Sequence, residues 1–135
     1  MPPSVLIVDD NPIHRRMVCL MSLRVGYPAN GVISCVEAIA ELEKSASYKV
    51  VLLDLDIPRN QTALDCVRLL LSLRNKGRCR FGIVAITAYA MESERQQCFS
   101  IGVDDYLSKP FTAKELKAML QKWCDGQIER VLRVS

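Results

Sequence analysis

Val50-Val51-Leu52-Leu53-Asp54 is a run of four apolar residues that ends on an acid. Three other stretches of the chain have a related form. Val5-Leu6-Ile7-Val8 leads into Asp9-Asp10, Ile83-Val84-Ala85-Ile86 leads into Thr87, and Asp105-Tyr106-Leu107-Ser108 leads into Lys109-Pro110. Short β-rich runs without polar alternation suit strands buried on both faces, as in a parallel sheet covered by helices. Parallel strands share a direction, so their carboxyl ends line one edge, and open α/β sheets bind ligands at that edge. Three carboxylates, a hydroxyl and an ammonium that lie far apart in the chain are therefore expected to meet.

With 135 residues, half of them hydrophobic and 24% charged, the chain fits one ordinary globular domain. No apolar run approaches the roughly 20 residues that span a bilayer. Met1-Pro2-Pro3-Ser4 lacks the basic and apolar regions of a secretory leader, so a cytoplasmic location is expected. A net charge of +3, with scattered basic residues, argues against direct binding to nucleic acid or a membrane surface. The short run Lys76-Gly77-Arg78-Cys79-Arg80 reads as a solvated helix end and loop. The six cysteines (Cys19, Cys35, Cys66, Cys79, Cys98 and Cys124) show neither C-x-x-C pairs nor zinc-ligand spacing with His14, and are expected to be free thiols in a reduced chain.

Between the strands lie helical patterns, the mark of repeated βαβ units. Asn11-Pro12 supplies an N-cap and an N1 proline for a first helix. Its apolar stripe reads Ile13, Met17, Leu20 and Leu23, and Gly26 stops it. A short second strand is expected within Val32 to Cys35. A second helix then starts at Val36, with Ile39, Leu42 and the stem of Lys44 inward or bordering. A third helix from about Ala63 to Asn75 carries Val67, Leu70, Leu71 and Arg74, and a polar fourth runs from Glu92 to Ile101. Thr112 and Glu115 form a capping box for the last helix, whose core residues read Leu116, Met119, Leu120 and Trp123. Asp104-Asp105 precedes its strand and so reads as a turn at the far edge of the sheet. The domain is expected over residues 1–125, with 126–135 as a C-terminal tail.

Two carboxylates about 4 Å apart repel by roughly 4 kcal/mol at an effective dielectric of about 20. Asp9, Asp10 and Asp54 at one edge therefore call for a cation, and Mg²⁺ accepts carboxylate, water and phosphate oxygens. Thr87 offers a donor to a phosphoryl oxygen, and Lys109 a compact charge on a long stem. An aspartate beside Mg²⁺ and a lysine is a competent nucleophile toward phosphorus.

The Asp9-Asp10 pair, Asp54 followed by Ile57-Pro58, Thr87-Ala88 and Tyr106…Lys109-Pro110 together resemble the receiver domain of two-component response regulators, over about Val5 to Trp123. The segments Ile86 to Met91 and Gly102 to Phe111 are similar to receivers attached to hybrid sensor histidine kinases. The resemblance implies a doubly wound five-stranded parallel sheet of order 2-1-3-4-5 flanked by five helices. It implies that Asp54 accepts a phosphoryl group from a phosphohistidine on a kinase or phosphotransfer protein, with slow autodephosphorylation afterwards. The implied Mg²⁺ ligands are Asp10, Asp54 and the backbone carbonyl of Asp56, with Asp9 acting through a water or from behind. Lys109 would balance charge across a cis bond to Pro110. Thr87 and Tyr106 would form a switch acting on the face around the fourth and fifth strands. The chain would then be a signalling switch rather than a metabolic enzyme, its output partner unspecified.

The sequence departs from that pattern in lacking a glycine between Arg59 and Ala63, and in carrying an acid at Asp56, whose side chain is expected to point to solvent. Tyr89 is placed to overhang the site and hinder an attacking water. His14 reads as a surface residue opposite the Ile13/Met17 stripe, with no base partner. Rival readings are a haloacid-dehalogenase-like phosphatase on Asp54-Leu55-Asp56, opposed by motif order, and a flavodoxin-like carrier, opposed by the missing phosphate loop. A receiver-like binding module that ignores phosphorylation remains the alternative.

Overall fold

Strand residues alternate between two cores, and that alternation is what gathers the strand ends. The computed structural model describes residues 2–56, 60–77, 80–88 and 92–125, the side chains at 60–62 excepted. The elements run β1 (Val5–Val8), α1 (Pro12–Arg24), β2 (Ala29–Val32), α2 (Cys35–Lys44), β3 (Val50–Asp54), α3 (Asn60–Asn75), β4 (Gly82–Thr87), α4 (Glu92–Ile101), β5 (Asp105–Ser108) and α5 (Ala113–Cys124). All strand pairings are parallel, in the order β2-β1-β3-β4-β5. Leu6, Val8, Val51, Leu53, Ile83 and Ala85 pack on one face with residues of α2, α3 and α4. Val5, Ile7, Val50, Leu52, Val84 and Ile86 pack on the other with α1 and α5. The period of two along each strand sends successive side chains into opposite cores, which is why these runs are apolar throughout. The expected architecture and strand order are therefore observed.

The inward face of α1 differs from the sequence expectation. Ile13 is 82% exposed and Leu23 57%, with Met17 and Leu20 also exposed. The buried residues are Val18 and Ser22, with Cys19 and Met21 partly buried against the α5-side core. Ser22 is tolerated inside because its hydroxyl donates to the Tyr27 carbonyl at 2.6 Å. The rotation of α1 is set by its ends: Asn11 caps the amides of Ile13 and His14, and Arg15 donates to the Asp9 carbonyl. A helix with apolar residues on two sides does not reveal in its own sequence which side faces the sheet.

Three further expectations are corrected. The second strand lies at Ala29–Val32, upstream of the 32–35 window, because Ser34 is used as the N-cap of α2. Gly31 belongs to that strand for a packing reason: a Cβ there would meet the Arg15 side chain at 2.7 Å. Lys44 is exposed, and Ala38 and Leu42 are the buried residues of α2. Cys35 and Cys66 form a disulfide joining the start of α2 to α3, with Cα atoms 5.6 Å apart, so these two are not free thiols. Cys19, Cys98 and Cys124 are free.

Asp104 and Asp105 do more than turn the chain. Asp104 accepts from Arg74 of α3 at 2.6 Å and from the Ile83 amide at 2.8 Å. Asp105 accepts from Lys122 at 2.7 Å and from the Trp123 indole at 3.0 Å, both on α5. The two acids thus fasten β5 to a helix on each face of the sheet. Trp123 also lies over Gly82, where an added Cβ would fall 2.5 Å from its ring. Gly82→Ala should accordingly cost about 1–3 kcal/mol through overpacking, measured by urea unfolding. Ile13→Ser, on the outward face of α1, should stay within about 0.5 kcal/mol of the parent protein in the same assay.

Candidate functional site

At the carboxyl edge of the sheet, β1 delivers Asp9 and Asp10, β3 delivers Asp54, β4 delivers Thr87 and β5 delivers Lys109. Lys109 reaches back over the edge because the backbone continues the β4–β5 ladder one step, its amide donating to the Thr87 carbonyl at 2.8 Å. The Lys109–Pro110 peptide is cis, as expected. The ammonium of Lys109 lies 2.9 Å from Asp54 Oδ2 and 3.2 Å from Asp56 Oδ2. Asp54 Oδ1 accepts the Asp56 amide at 2.7 Å. Asp9, Asp10, Asp54, Asp56 and Lys109 all line one open cavity of about 640 Å³.

Two side chains behave differently from the sequence expectation. The Asp56 carboxylate turns into the site: Oδ1 accepts from Thr87 Oγ1 at 2.5 Å, and Oδ2 accepts from the Ala88 amide at 2.6 Å. His14 is also inside the site. Its Nδ1 makes a short contact with Asp9 Oδ2 and lies 3.6 Å from Asp54 Oδ2, and its side chain is only 20% exposed. His14 stands in the first turn of α1, where side chains lean toward the helix N-terminus and so toward the end of β1. That direction, together with the Asn11 cap, is the signal that the apolar-stripe reading of α1 overlooked. For Asp56, the signal was its two-residue spacing from Asp54.

Asp9 is 2% exposed and Asp54 5% exposed, so like charges are held together away from water. Burial pushes the Asp54 carboxyl above its ordinary 3.8, and the charge of Asp9 adds to that, while the bonds from Lys109 and the Asp56 amide oppose it. Burial also works against ionised Asp56, yet the bonds from Thr87, Ala88 and Lys109 outweigh it and hold that carboxyl below the ordinary value. Lys109 loses solvation, and the two aspartates more than compensate, so its ammonium is held above the usual range. Tyr106 is half-buried against the α3/α4-side core beside Thr87, and its phenol is raised mainly by that burial.

One lysine does not neutralise this many carboxylates. Donor atoms of Asp9, His14 and Asp54 lie within 4.8 Å of one another, a group able to hold a divalent cation, and Asp10 stands on the wall of the same cavity. The carboxylate oxygens suit Mg²⁺, and the imidazole adds a nitrogen beside them. Ile57, Pro58, Arg59 and Tyr89 lie outside the described residues, as do the side chains of most of the glycine-free loop and the tail from 126 to 135.

Comparison with known proteins agrees with this fold. The response regulator receiver domain family matches residues 5–121. The sensor histidine kinase RcsC of Salmonella typhi is 34% identical over 121 residues, covering 90% of this chain and 12% of that protein. Hybrid signal transduction histidine kinase L of Dictyostelium discoideum is 30% identical over 126 residues, covering 89% of this chain and 7% of that protein. The chain therefore spans a small fraction of the length of these relatives. Among solved structures, the receiver domain of sensor histidine kinase PA1611 from Pseudomonas aeruginosa PAO1 has a magnesium ion coordinated in its active-site cleft. It matches with a TM-score of 0.71 at 30% identity, over 91% of this chain and 98% of that one. A CheY-like receiver domain protein of Methanospirillum hungatei JF-1 shares the fold at 20% identity, with a TM-score of 0.79 over 96% and 98% of the two chains. A parallel sheet of this order, with acids and a lysine at its carboxyl edge, defines a receiver, and the chain belongs to the response regulator receiver domain family of two-component signalling.

The charge balance has a measurable consequence. A carboxyl raised by folding destabilises the fold when ionised, so Asp54→Asn should raise the urea midpoint at pH 7 in metal-free buffer without changing the slope. That gain should shrink as pH falls through the raised Asp54 value and vanish below 3.8, where the carboxyl is protonated in both states. Asp56 has the opposite sign: its stabilising contribution is present above 3.8 and is lost as pH falls through its depressed folded value. Asp56→Asn should therefore destabilise at pH 7, and the difference from the parent should close in acid.

Proposed function

We propose that this receiver is a phosphoacceptor in which Asp54 takes a phosphoryl group from a phosphohistidine of a histidine kinase or a histidine phosphotransfer protein. The observation that carries this reading is Asp54 at the end of β3, with Lys109 at 2.9 Å, facing an open cavity shared with Asp9 and Asp10. In the transfer, a carboxylate oxygen of Asp54 bonds to phosphorus as the nitrogen–phosphorus bond of the donor breaks, and the imidazole, protonated on its other ring nitrogen, leaves neutral. Hydrolysis later returns Asp54 and inorganic phosphate. Phosphoryl transfer depends chiefly on positioning and charge stabilisation, which is what this edge of the sheet supplies.

Lys109 supplies one fixed positive charge for the developing phosphoryl oxygens. Asp10, Asp54 and the Asp56 carbonyl would hold Mg²⁺, with Asp9 supporting from behind, and His14 stands beside that set. When bound, the ion neutralises charge on the carboxylates and the phosphoryl oxygens. The Thr87 hydroxyl then serves as a donor to a phosphoryl oxygen, and movement of Thr87 is passed to Tyr106, its neighbour at the β4–β5 surface. Exposed Ile13 of α1 lines the cavity, and Met17, Met21, Pro110 and Phe111 share a second hollow with Lys109. This apolar rim is the surface on which the phosphohistidine-bearing donor would rest. Among the described residues, no helix is long and apolar enough to cross a membrane. The proposed location is the cytoplasm, where ATP supplies kinases.

Intact mass after incubation with acetyl phosphate tests the reading. One phosphoryl adduct should form only with Mg²⁺, should be labile to base, and should be absent from Asp54→Asn. Lys109→Ala should slow its formation by about 100-fold. A protein that takes no adduct under any of these conditions is instead a phosphorylation-independent binding module.

A further inference from the structure

We propose that the Asp56 carboxylate occupies the phosphoryl-oxygen cradle of the resting protein, and that phosphorylation of Asp54 must displace it. The inference rests on the phosphoacceptor reading above and adds a residue that regulates it. Three donors from two parts of the chain converge on this one side chain: the hydroxyl of Thr87 at the end of β4, the amide of Ala88 just beyond, and the ammonium of Lys109 after β5. A donor set of one hydroxyl, one backbone amide and one ammonium, arranged around a small planar anion, is a general oxyanion site. Here the anion is built into the chain two residues from the acceptor.

Donor counting makes the occupation exclusive. A threonine hydroxyl carries one proton and a backbone amide one, so each can be given to Asp56 or to a phosphoryl oxygen, not fully to both. Lys109 has three protons and can serve Asp54 while exchanging Asp56 for the phosphoryl group. The incoming group is an anion, and ionised Asp56 repels it as well as competing for its donors. Displacement is sterically open, since the Asp56 side chain lines the cavity and is partly exposed. The hydrogen bond from the Asp56 amide to Asp54 Oδ1 means that the two residues report on each other's position. Asp56 is thus a positioning residue that sets how fast and how fully Asp54 is phosphorylated, and how far Thr87 is committed before any phosphoryl group arrives.

The test uses Asp56→Ala and Asp56→Asn, which both keep the backbone carbonyl. Phosphorylation by acetyl phosphate with saturating Mg²⁺ is followed by intact mass, and the Ala88 amide resonance is followed by NMR without donor. Asp56→Ala should phosphorylate about tenfold faster, the scale of a charge-assisted hydrogen bond lost from the resting state. Asp56→Asn, which keeps an acceptor oxygen but no charge, should fall between it and the parent. The Ala88 amide should shift upfield in Asp56→Ala and return downfield when that variant is phosphorylated. Rates equal to or below the parent's in both variants, or an Ala88 resonance that does not move, would overturn the displacement while leaving the phosphoacceptor reading intact. Absence of any adduct, in parent and variants alike, would overturn both.

Discussion

Asp54 and Asp56 sit two residues apart at the end of β3, and both turn toward the ammonium of Lys109, at 2.9 and 3.2 Å. Two carboxylates this near each other, with Asp9 close behind, are held together by a cation that arrives from a strand two places away in the sheet, helped by the hydrogen bonds that Thr87, Ala88 and the Asp56 amide donate. The position of that cation depends on β5 staying in register with β4, which the pairing of Thr87 with Ser108 and the Lys109 amide enforce. The opposite end of β5 is held by Asp104 on Arg74 and by Asp105 on Lys122 and Trp123. A pair of acids at the far edge of the sheet therefore helps to hold the lysine at the functional edge. Both helix layers take part, so the site inherits the rigidity of the whole sandwich.

The two halves of the site are differently furnished. On the β4–β5 side, the Asp56 carboxylate satisfies Thr87 and Ala88, so the donors suited to a phosphoryl group already hold an anion. On the β1 side, Asp9 is satisfied by the Asn11 amide and by His14. That arrangement leaves Asp10 exposed on the cavity wall, next to a helix that also presents apolar residues outward, Ile13 and Met17 among them. Under the proposed function, charge neutralisation, phosphoryl recognition and partner docking would meet within one short edge. Each draws on a different element, which lets a change at one be felt by the others.

Much of this was legible in the chain. Buried parallel strands need apolar residues on both faces, so Val5–Val8, Val50–Leu53 and Ile83–Ile86 announced themselves, and with them the acids and the threonine that follow. The capping box at Thr112 and the polar helix from Glu92 to Ile101 were equally plain, since their signals are local. The second strand was displaced because Ala29-Asn30-Gly31-Val32 has little strand character. It is a strand because it pairs with β1 and because Gly31 lets α1 pass close by. The pairing of Cys35 with Cys66 had no local signal at all, being a contact between two helices.

By itself, the sequence determined the order of strands and helices, the residues that end four of the five strands, and hence which chemistry meets at the carboxyl edge. These follow from periodicity and from the common direction of parallel strands, which are properties of the chain read one segment at a time. Only the tertiary structure decided that α1 turns Val18 and Ser22 inward and Ile13 outward, that His14 joins Asp9, and that Asp56 bonds Thr87 and Ala88. Those choices belong to pairs of residues on different elements. A helix's rotation and a side chain's direction are set by partners that its own segment does not contain.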